Sequence, residues 1–147
     1  MSNAFPEDEL DPINCRGKSR DNNIHNWGIN DVLGNFSLTL VDSLDTLPLL
    51  GDRTGFEKAV ATVIQTVSFD KDSRVQVFEV TIRALGALLS AHLLASDKNH
   101  GFKISWYDDQ LLGLAKDLGY FFSLNEIGID YCRLSKRAQG CPIQELI

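Results

Sequence analysis

The sequence predicts an all-α domain built from consecutive antiparallel helical hairpins. Three observations carry this: four segments hold apolar residues at 3–4 spacing, short polar turns join them, and no segment alternates with strand period. At 147 residues, 44% apolar and 23% charged, the chain has the size and composition of one ordinary globular domain. A net charge of −6 argues against a nucleic-acid or anionic-membrane partner. No run of eighteen apolar residues occurs, and the polar opening from Met1 to Leu10 is not a signal peptide.

The elements follow in order. Residues 1–30 are polar and turn-rich, with Pro6, Pro12 and the run Arg16-Gly-Lys-Ser-Arg-Asp-Asn-Asn, and read as loop with at most short helical pieces. Residues 36–50 read as a helix whose apolar face is Leu40, Val41, Leu44 and Leu47, stopped at Gly51, with Pro48 in its last turn. Thr54 and Glu57 form a capping-box pattern before Phe56, Val60, Val63, Ile64 and Val67. A charged turn from Phe69 to Ser73 leads to a long helix over 75–95. After a break at Asp97-Lys-Asn-His-Gly, Ser105 to Asp108 opens a fourth helix with Leu111, Leu112, Ala115 and Leu118 on one face. From Tyr120 to Ile147 no period of either kind persists.

The long helix is the most informative element. It is apolar almost all round, which predicts burial on every side, yet Glu79 and Arg83 stand one turn apart, with Gly86 and Ser90 continuing their face. Charges inside a domain are costly unless paired or used. Two readings are open: an intrahelical ion pair on a solvated face, or a polar stripe lining a cavity that accepts a polar ligand. On the 36–50 helix, Asp42 and Asp45 lie three apart, with Thr39 and Thr46 completing the polar side. They fit either an exposed, locally hydrogen-bonded face or the same cavity. Inward carboxylates with an arginine suit glycosidic chemistry, where one acid protonates the leaving oxygen and a second carboxylate activates water or attacks. No phosphate loop, nucleophile elbow or histidine metal motif competes. Cys15, Cys132 and Cys141 have neither metal-ligand spacing nor a Cys-x-x-Cys, and two readings stay open, three free thiols or a set that includes a bridge. His92 reads as a partly buried structural residue. Asn35-Phe-Ser37 is an N-glycosylation sequon, relevant if the chain enters the endoplasmic reticulum (ER).

Three blocks in order, Asn35-Phe-Ser-Leu-Thr-Leu-Val-Asp-Ser-Leu-Asp-Thr-Leu47, Val67-Ser-Phe-Asp-Lys-Asp72 and Val75-Gln-Val-Phe-Glu-Val-Thr-Ile-Arg-Ala-Leu-Gly-Ala-Leu-Leu-Ser-Ala-His92, resemble class I α-1,2-mannosidases of glycoside hydrolase family 47. The opening from Asn3 to Gly17 resembles the ER degradation-enhancing α-mannosidase-like (EDEM) branch. The resemblance runs from about Asn3 to about Gly119, which divides the chain into 1–119, part of a mannosidase barrel, and 120–147, a divergent tail. It implies part of an (α/α)7 barrel, an inverting α-1,2-mannosidase activity on high-mannose N-glycans of misfolded glycoproteins, and a place in the ER lumen. By motif match Glu79 takes the general-acid position, Asp42 an active-site aspartate, Arg83 a substrate contact, and Asp45 a weaker substrate contact. The resemblance implies Ca²⁺, with the ligand beyond this chain, and places Cys15 on a cysteine of the EDEM branch whose partner lies outside the matched segment. The family's first helix, signal peptide, second catalytic carboxylates and candidate base have no counterpart in this sequence. The expectation is therefore an N-terminal fragment, inactive alone. The alternatives are a non-catalytic glycoprotein-binding or disulfide-exchange factor acting through Cys15 with an oxidoreductase partner, or an aggregating fragment without function.

Overall fold

In a computed structural model the described residues are 3–21, 23, 25–123 and 131–134. Helices dominate: α1 (Trp27–Asn30), α2 (Leu38–Asp42), α3 (Thr46–Leu49), α4 (Arg53–Thr66), α5 (Val77–Val80), a π-helical turn (Thr81–Leu85), α6 (Gly86–Ser96) and α7 (Gln110–Ser123). Two small antiparallel ribbons accompany them. Strands β1 (Glu9–Asp11) and β2 (Arg16–Lys18) form a hairpin, and β3 (Ser73–Gln76) pairs with β4 (Tyr131–Leu134).

One core joins the helices. Leu40, Val41 and Leu44 meet Phe56, Val60 and Val63 of α4, Ala84 and Leu88 of the π-turn and α6, and Leu111 and Leu118 of α7. Phe36 packs on Phe69, their ring centroids 5.1 Å apart. Burying side chains of this size contributes about 1.5–3 kcal/mol each, and the 3–4 spacing of α4 and α7 supplies the faces that do it.

The structure corrects several expectations. Residues 9–18 are a hairpin rather than loop, because Asp11 closes the turn: its Oδ1 accepts from the amides of Ile13 (3.1 Å) and Asn14 (3.2 Å), and its Oδ2 from Asn14 Nδ2 (2.7 Å). The expected helix over 36–50 is split into α2 and α3. The Ser43 hydroxyl donates back to the carbonyls of Thr39 and Leu40 at the break, and Pro48 has no amide with which to continue the ladder. Gly51, at φ +74°, ends α3 as anticipated. Helix α4 is capped by Asp52, whose Oδ1 accepts from Gly55 N at 2.8 Å, not by Thr54. Glu57 instead accepts from Trp106 Nε1 at 2.7 Å, tying α4 to the segment before α7. That segment is turn, so α7 begins at Gln110 rather than at Ser105. Helix α7 runs through Gly119 to Ser123, and residues 131–134 of the tail return to the body through the register Ser73↔Leu134 and Val75↔Cys132. The rest of the tail, Cys141 included, lies outside the described residues.

The largest correction concerns the long helix. It starts at Val77, where Gln76 Oε1 caps it by accepting from Glu79 N at 3.0 Å; residues 73–76 before it are strand. Nor is it buried on every side. Val80, Ala84, Ala87, Leu88, Ala91 and Ala95 face the core, whereas Phe78 (65%), Ile82 (53%), Leu89 (41%) and Leu93 (59%) are exposed. Val77–Ser96 is long and apolar enough to cross a bilayer by length and composition, at a mean hydropathy of 1.5. That escaped the criterion of an unbroken apolar run because Glu79 and Arg83 interrupt it.

Candidate active site

Asp42, Glu79 and Arg83 come together where α2 crosses the start of the long helix. Asp42 is the last residue of α2, Glu79 sits in the first turn of α5, and Arg83 lies inside the π-turn. Arg83 Nε donates to Glu79 Oε2 at 3.0 Å, and its Nη1 stands 3.6 Å from Asp42 Oδ2. A carboxylate in the first turn of a helix is favoured by the helix dipole, whereas one at a C-terminus is not; the guanidinium offsets the charge of Asp42. The hydrogen bond that Arg83 donates to Glu79, together with the charges of Glu79 and Asp42, outweighs burial and raises the proton affinity of Arg83 above its ordinary value. Arg83 is thus cationic at every working pH.

Of the two readings of the stripe, the ion pair is present, and the face that carries it is open. The side chains of Arg83, Asp42 and Glu79 are 45%, 41% and 30% exposed. At such exposure the pair contributes no more than about 1 kcal/mol, so the constellation is poorly explained as a device for stability. Further along the same helix Ser90 lines an open cleft of about 330 Å³ together with Asp45, Pro48, Leu93 and Phe102. Asp45 therefore belongs to the cleft and stands apart from the three-residue constellation. The two lie side by side along one face of the helix, with Arg83 and Ser90 seven positions apart.

A polar contact that spacing did not suggest lies nearby. His92 Nδ1 and the Tyr107 hydroxyl are 2.9 Å apart, and His92 is partly buried, as a structural histidine should be. Burial raises the proton affinity of the Tyr107 phenol. Among the described residues no group of three or more His, Cys, Asp or Glu side chains is placed to hold a metal ion. No step below passes through a metal ion. Cys15 is exposed at the hairpin tip at φ +50°, its sulfur 3.8 Å from the Pro12 carbonyl oxygen.

Sequence reasoning missed Asp8. It is 1% exposed, and its carboxylate accepts from the backbone amides of Asn35 (2.7 Å), Phe36 (3.0 Å) and Leu38 (3.1 Å). Its carbonyl accepts from Thr39 N and Thr39 Oγ1. One acid thereby fixes the entry of α2, the helix that carries Asp42.

Comparison with known proteins places the fold in a family. The model of glycosyl hydrolase family 47 matches residues 1–124. ER degradation-enhancing alpha-mannosidase-like protein 1 of Schizosaccharomyces pombe is 54% identical over 119 residues, which are 80% of this chain and 15% of that protein. The human ER degradation-enhancing alpha-mannosidase-like protein 3 is 49% identical over 121 residues, 82% of this chain and 13% of its own length. The alpha-1,2-mannosidase from Trichoderma reesei superposes with a TM-score of 0.65 at 26% identity, over 84% of this chain and 24% of the enzyme. The chain thus spans about a seventh of these two curated relatives, and its helices follow a stretch of an (α/α)7 barrel. Matched by the family model over residues 1–124 and close in sequence to the S. pombe and human proteins, the chain belongs to glycosyl hydrolase family 47 and groups with its ER degradation-enhancing α-mannosidase-like members.

Proposed function

We propose that this chain forms one wall of an inverting α-1,2-mannosidase site that trims high-mannose N-glycans of misfolded glycoproteins in the ER lumen, marking them for degradation. The observation that carries the reading is the convergence of Asp42, Arg83 and Glu79 on one open face, although such an exposed ion pair adds little stability. In this reading Glu79 is the general acid that protonates the leaving oxygen, and Arg83 holds sugar hydroxyls and orients Glu79 through its Nε–H. Asp42 completes the polar floor, and Asp45 contacts substrate from the neighbouring cleft. Inversion needs a second carboxylate about 6.5–9.5 Å away to activate water, which in this proposal comes from polypeptide beyond this chain, as does the calcium ligand. An acid works in an enclosed, water-poor site, and the exposed face does not provide one. The 147 residues alone are therefore inactive in this proposal. The tail 120–147 is proposed to diverge from the family, its first few residues still within the family model's match to residue 124, and Cys15 is proposed to pair with a cysteine outside the 1–119 segment, a partner oxidoreductase's included.

The test supplies the missing enclosure. The isolated chain should release no mannose from a Man₈–Man₉ glycan. A chimera, in which residues 3–123 replace the matching stretch of the full-length S. pombe relative, should release it, and Glu79→Gln should lower that rate by at least about 100-fold, the scale of general acid catalysis. Release by the isolated chain, or an active chimera indifferent to Glu79→Gln, would overturn the assignment.

A further inference from the structure

The sequence holds one Asn-x-Ser/Thr sequon, Asn35-Phe-Ser37, and the structure treats its parts unequally. Asn35 is exposed and sits in the left-handed region at φ +63°, a conformation asparagine tolerates better than most residues. Among the described residues its carboxamide makes no hydrogen bond; only its backbone amide is engaged, by Asp8. An open cleft of about 210 Å³ adjoins it, bordered by Pro6, Ser37, Thr66 and Lys71. None of those residues belongs to the Asp42–Arg83–Glu79 face or to the cleft beside it. Asn35 also lies before the start of α2, whereas Asp42 ends that helix. A bulky group on Asn35 is therefore sterically compatible with the folded chain.

Ser37 is the opposite case. It is 7% exposed, and its hydroxyl donates to the Pro6 carbonyl oxygen at 2.7 Å. Phe36 between them is 1% exposed, and its amide is held by Asp8. The hydroxyl at the third sequon position has to be presented to the transferring enzyme for the sequon to be read. In the folded chain that hydroxyl is spent on residues 6–8, which close over it.

We infer that Asn35 is an N-glycan acceptor with a window: it is modified before residues 6–8 dock on the 35–39 segment, and docking ends its reactivity. In the transfer, Asn35 Nδ2 forms a bond to the anomeric carbon of an oligosaccharide carried on a polyprenyl diphosphate. The anomeric C–O bond to the diphosphate breaks, the polyprenyl diphosphate departs, and one Nδ2 proton passes to solvent base. Once the glycan is attached, the exposed side chain and the adjoining cleft let residues 6–8 dock as before. The inference rests on the ER placement proposed above but not on mannosidase activity.

The test forces ER entry, so that it does not depend on the chain's own targeting. The 147 residues are expressed behind a cleavable secretory signal, with signal cleavage as proof of entry. The wild type should give a slower-migrating species that peptide-N-glycosidase F collapses, and Asn35→Gln and Ser37→Ala should both abolish it. Asp8→Asn, which loosens docking, should raise the modified fraction. In detergent-solubilised microsomes with lipid-linked oligosaccharide, the urea-unfolded chain diluted into the reaction should be modified at least tenfold faster than the prefolded chain. A signal-cleaved wild type without glycan would overturn the acceptor assignment. Equal rates for prefolded and unfolded chains, or an Asp8→Asn fraction no higher than wild type, would overturn the window.

Discussion

Replacing Asp8 by alanine removes a buried acceptor that three backbone amides share. The carboxylate is 1% exposed and holds three backbone amides at 2.7, 3.0 and 3.1 Å. Two of those amides belong to buried residues, Phe36 at 1% and Leu38 at 6% exposure, so water cannot readily replace the lost acceptor. The third belongs to exposed Asn35 and can be rehydrated. Each buried, unsatisfied donor costs about 1–3 kcal/mol, which for two of them sets the expected loss for Asp8→Ala at about 2–6 kcal/mol. Against a total of about 5–15 kcal/mol for a domain, such a loss removes much of the stability. Asp8→Asn keeps one carbonyl acceptor but turns an NH₂ toward one of the amides, and should cost about 2 kcal/mol. Urea unfolding followed by far-UV circular dichroism measures both. Amide hydrogen exchange locates the effect, with protection lost first at Phe36, Leu38 and Thr39. A loss below about 1 kcal/mol for Asp8→Ala, or unchanged protection at Phe36 and Leu38, would refute the clamp.

Two further outcomes follow from the surface. Asp11 and Asp21 both hold pKa values below the ordinary carboxylate range, Asp11 chiefly through Asn14 and Asp21 chiefly through the side chains of Asn26 and Asn30. A depressed folded pKa means stability that is fully present above the unfolded value of about 3.9 and is lost as pH falls through the folded value. Their contribution should therefore be constant through neutral pH and fall away in acid, and the double variant Asp11→Asn, Asp21→Asn should flatten that acid limb in urea titrations; an unchanged limb would count against their role. The exposed row Phe78, Ile82, Leu89 and Leu93 is apolar enough to drive self-association. Sedimentation velocity should show a mass that rises with concentration, reduced toward the monomer by Phe78→Ser with Leu93→Ser, whose stability should change little because neither side chain is in the core.

The helical frame was legible because its signal is local. The spacing of Phe56, Val60 and Val63 and of Leu111, Ala115 and Leu118 needs no partner to be read, and α4 and α7 appear where that spacing runs. Their starts were not legible. The capping box at Thr54 and the helix opening at Ser105 are patterns of residue type, whereas the cap at Asp52 and the start of α7 at Gln110 follow from backbone geometry that residue type does not encode. The long helix misled for a different reason. Hydropathy registers that Phe78, Ile82, Leu89 and Leu93 are apolar, but not whether anything covers them, so a helix with one core face and one open apolar face reads as buried all round. The π-turn at Thr81–Leu85 was invisible as well, since one extra residue per turn leaves Glu79 and Arg83 at an i, i+4 spacing either way.

Asp8 marks the limit of such reading. It stands in Pro6-Glu-Asp-Glu-Leu10, a run of three acids in which nothing local separates it from Glu7 and Glu9, and a solvated charge run is the natural expectation. What singles it out is thirty residues away, where Asn35 and Ser37 both take positive φ and the chain between them turns its amides toward one point. Neither residue is glycine, so the turn carries a backbone cost that the carboxylate offsets. The same turn bears the sequon and begins the helix that ends at Asp42. Any change that frees Asp8 should therefore act at both ends of α2: it uncovers Ser37 at the start and loosens the partner of Arg83 at the finish. In the active chimera, this coupling predicts that Asp8→Asn lowers mannose release while leaving the Glu79–Arg83 hydrogen bond, which lies within one helix, intact. An Arg83 Nε–H resonance unchanged from wild type, beside a reduced kcat, is the signature to look for. Loss of both together would mean that Asp8 supports the whole fold rather than the placement of α2.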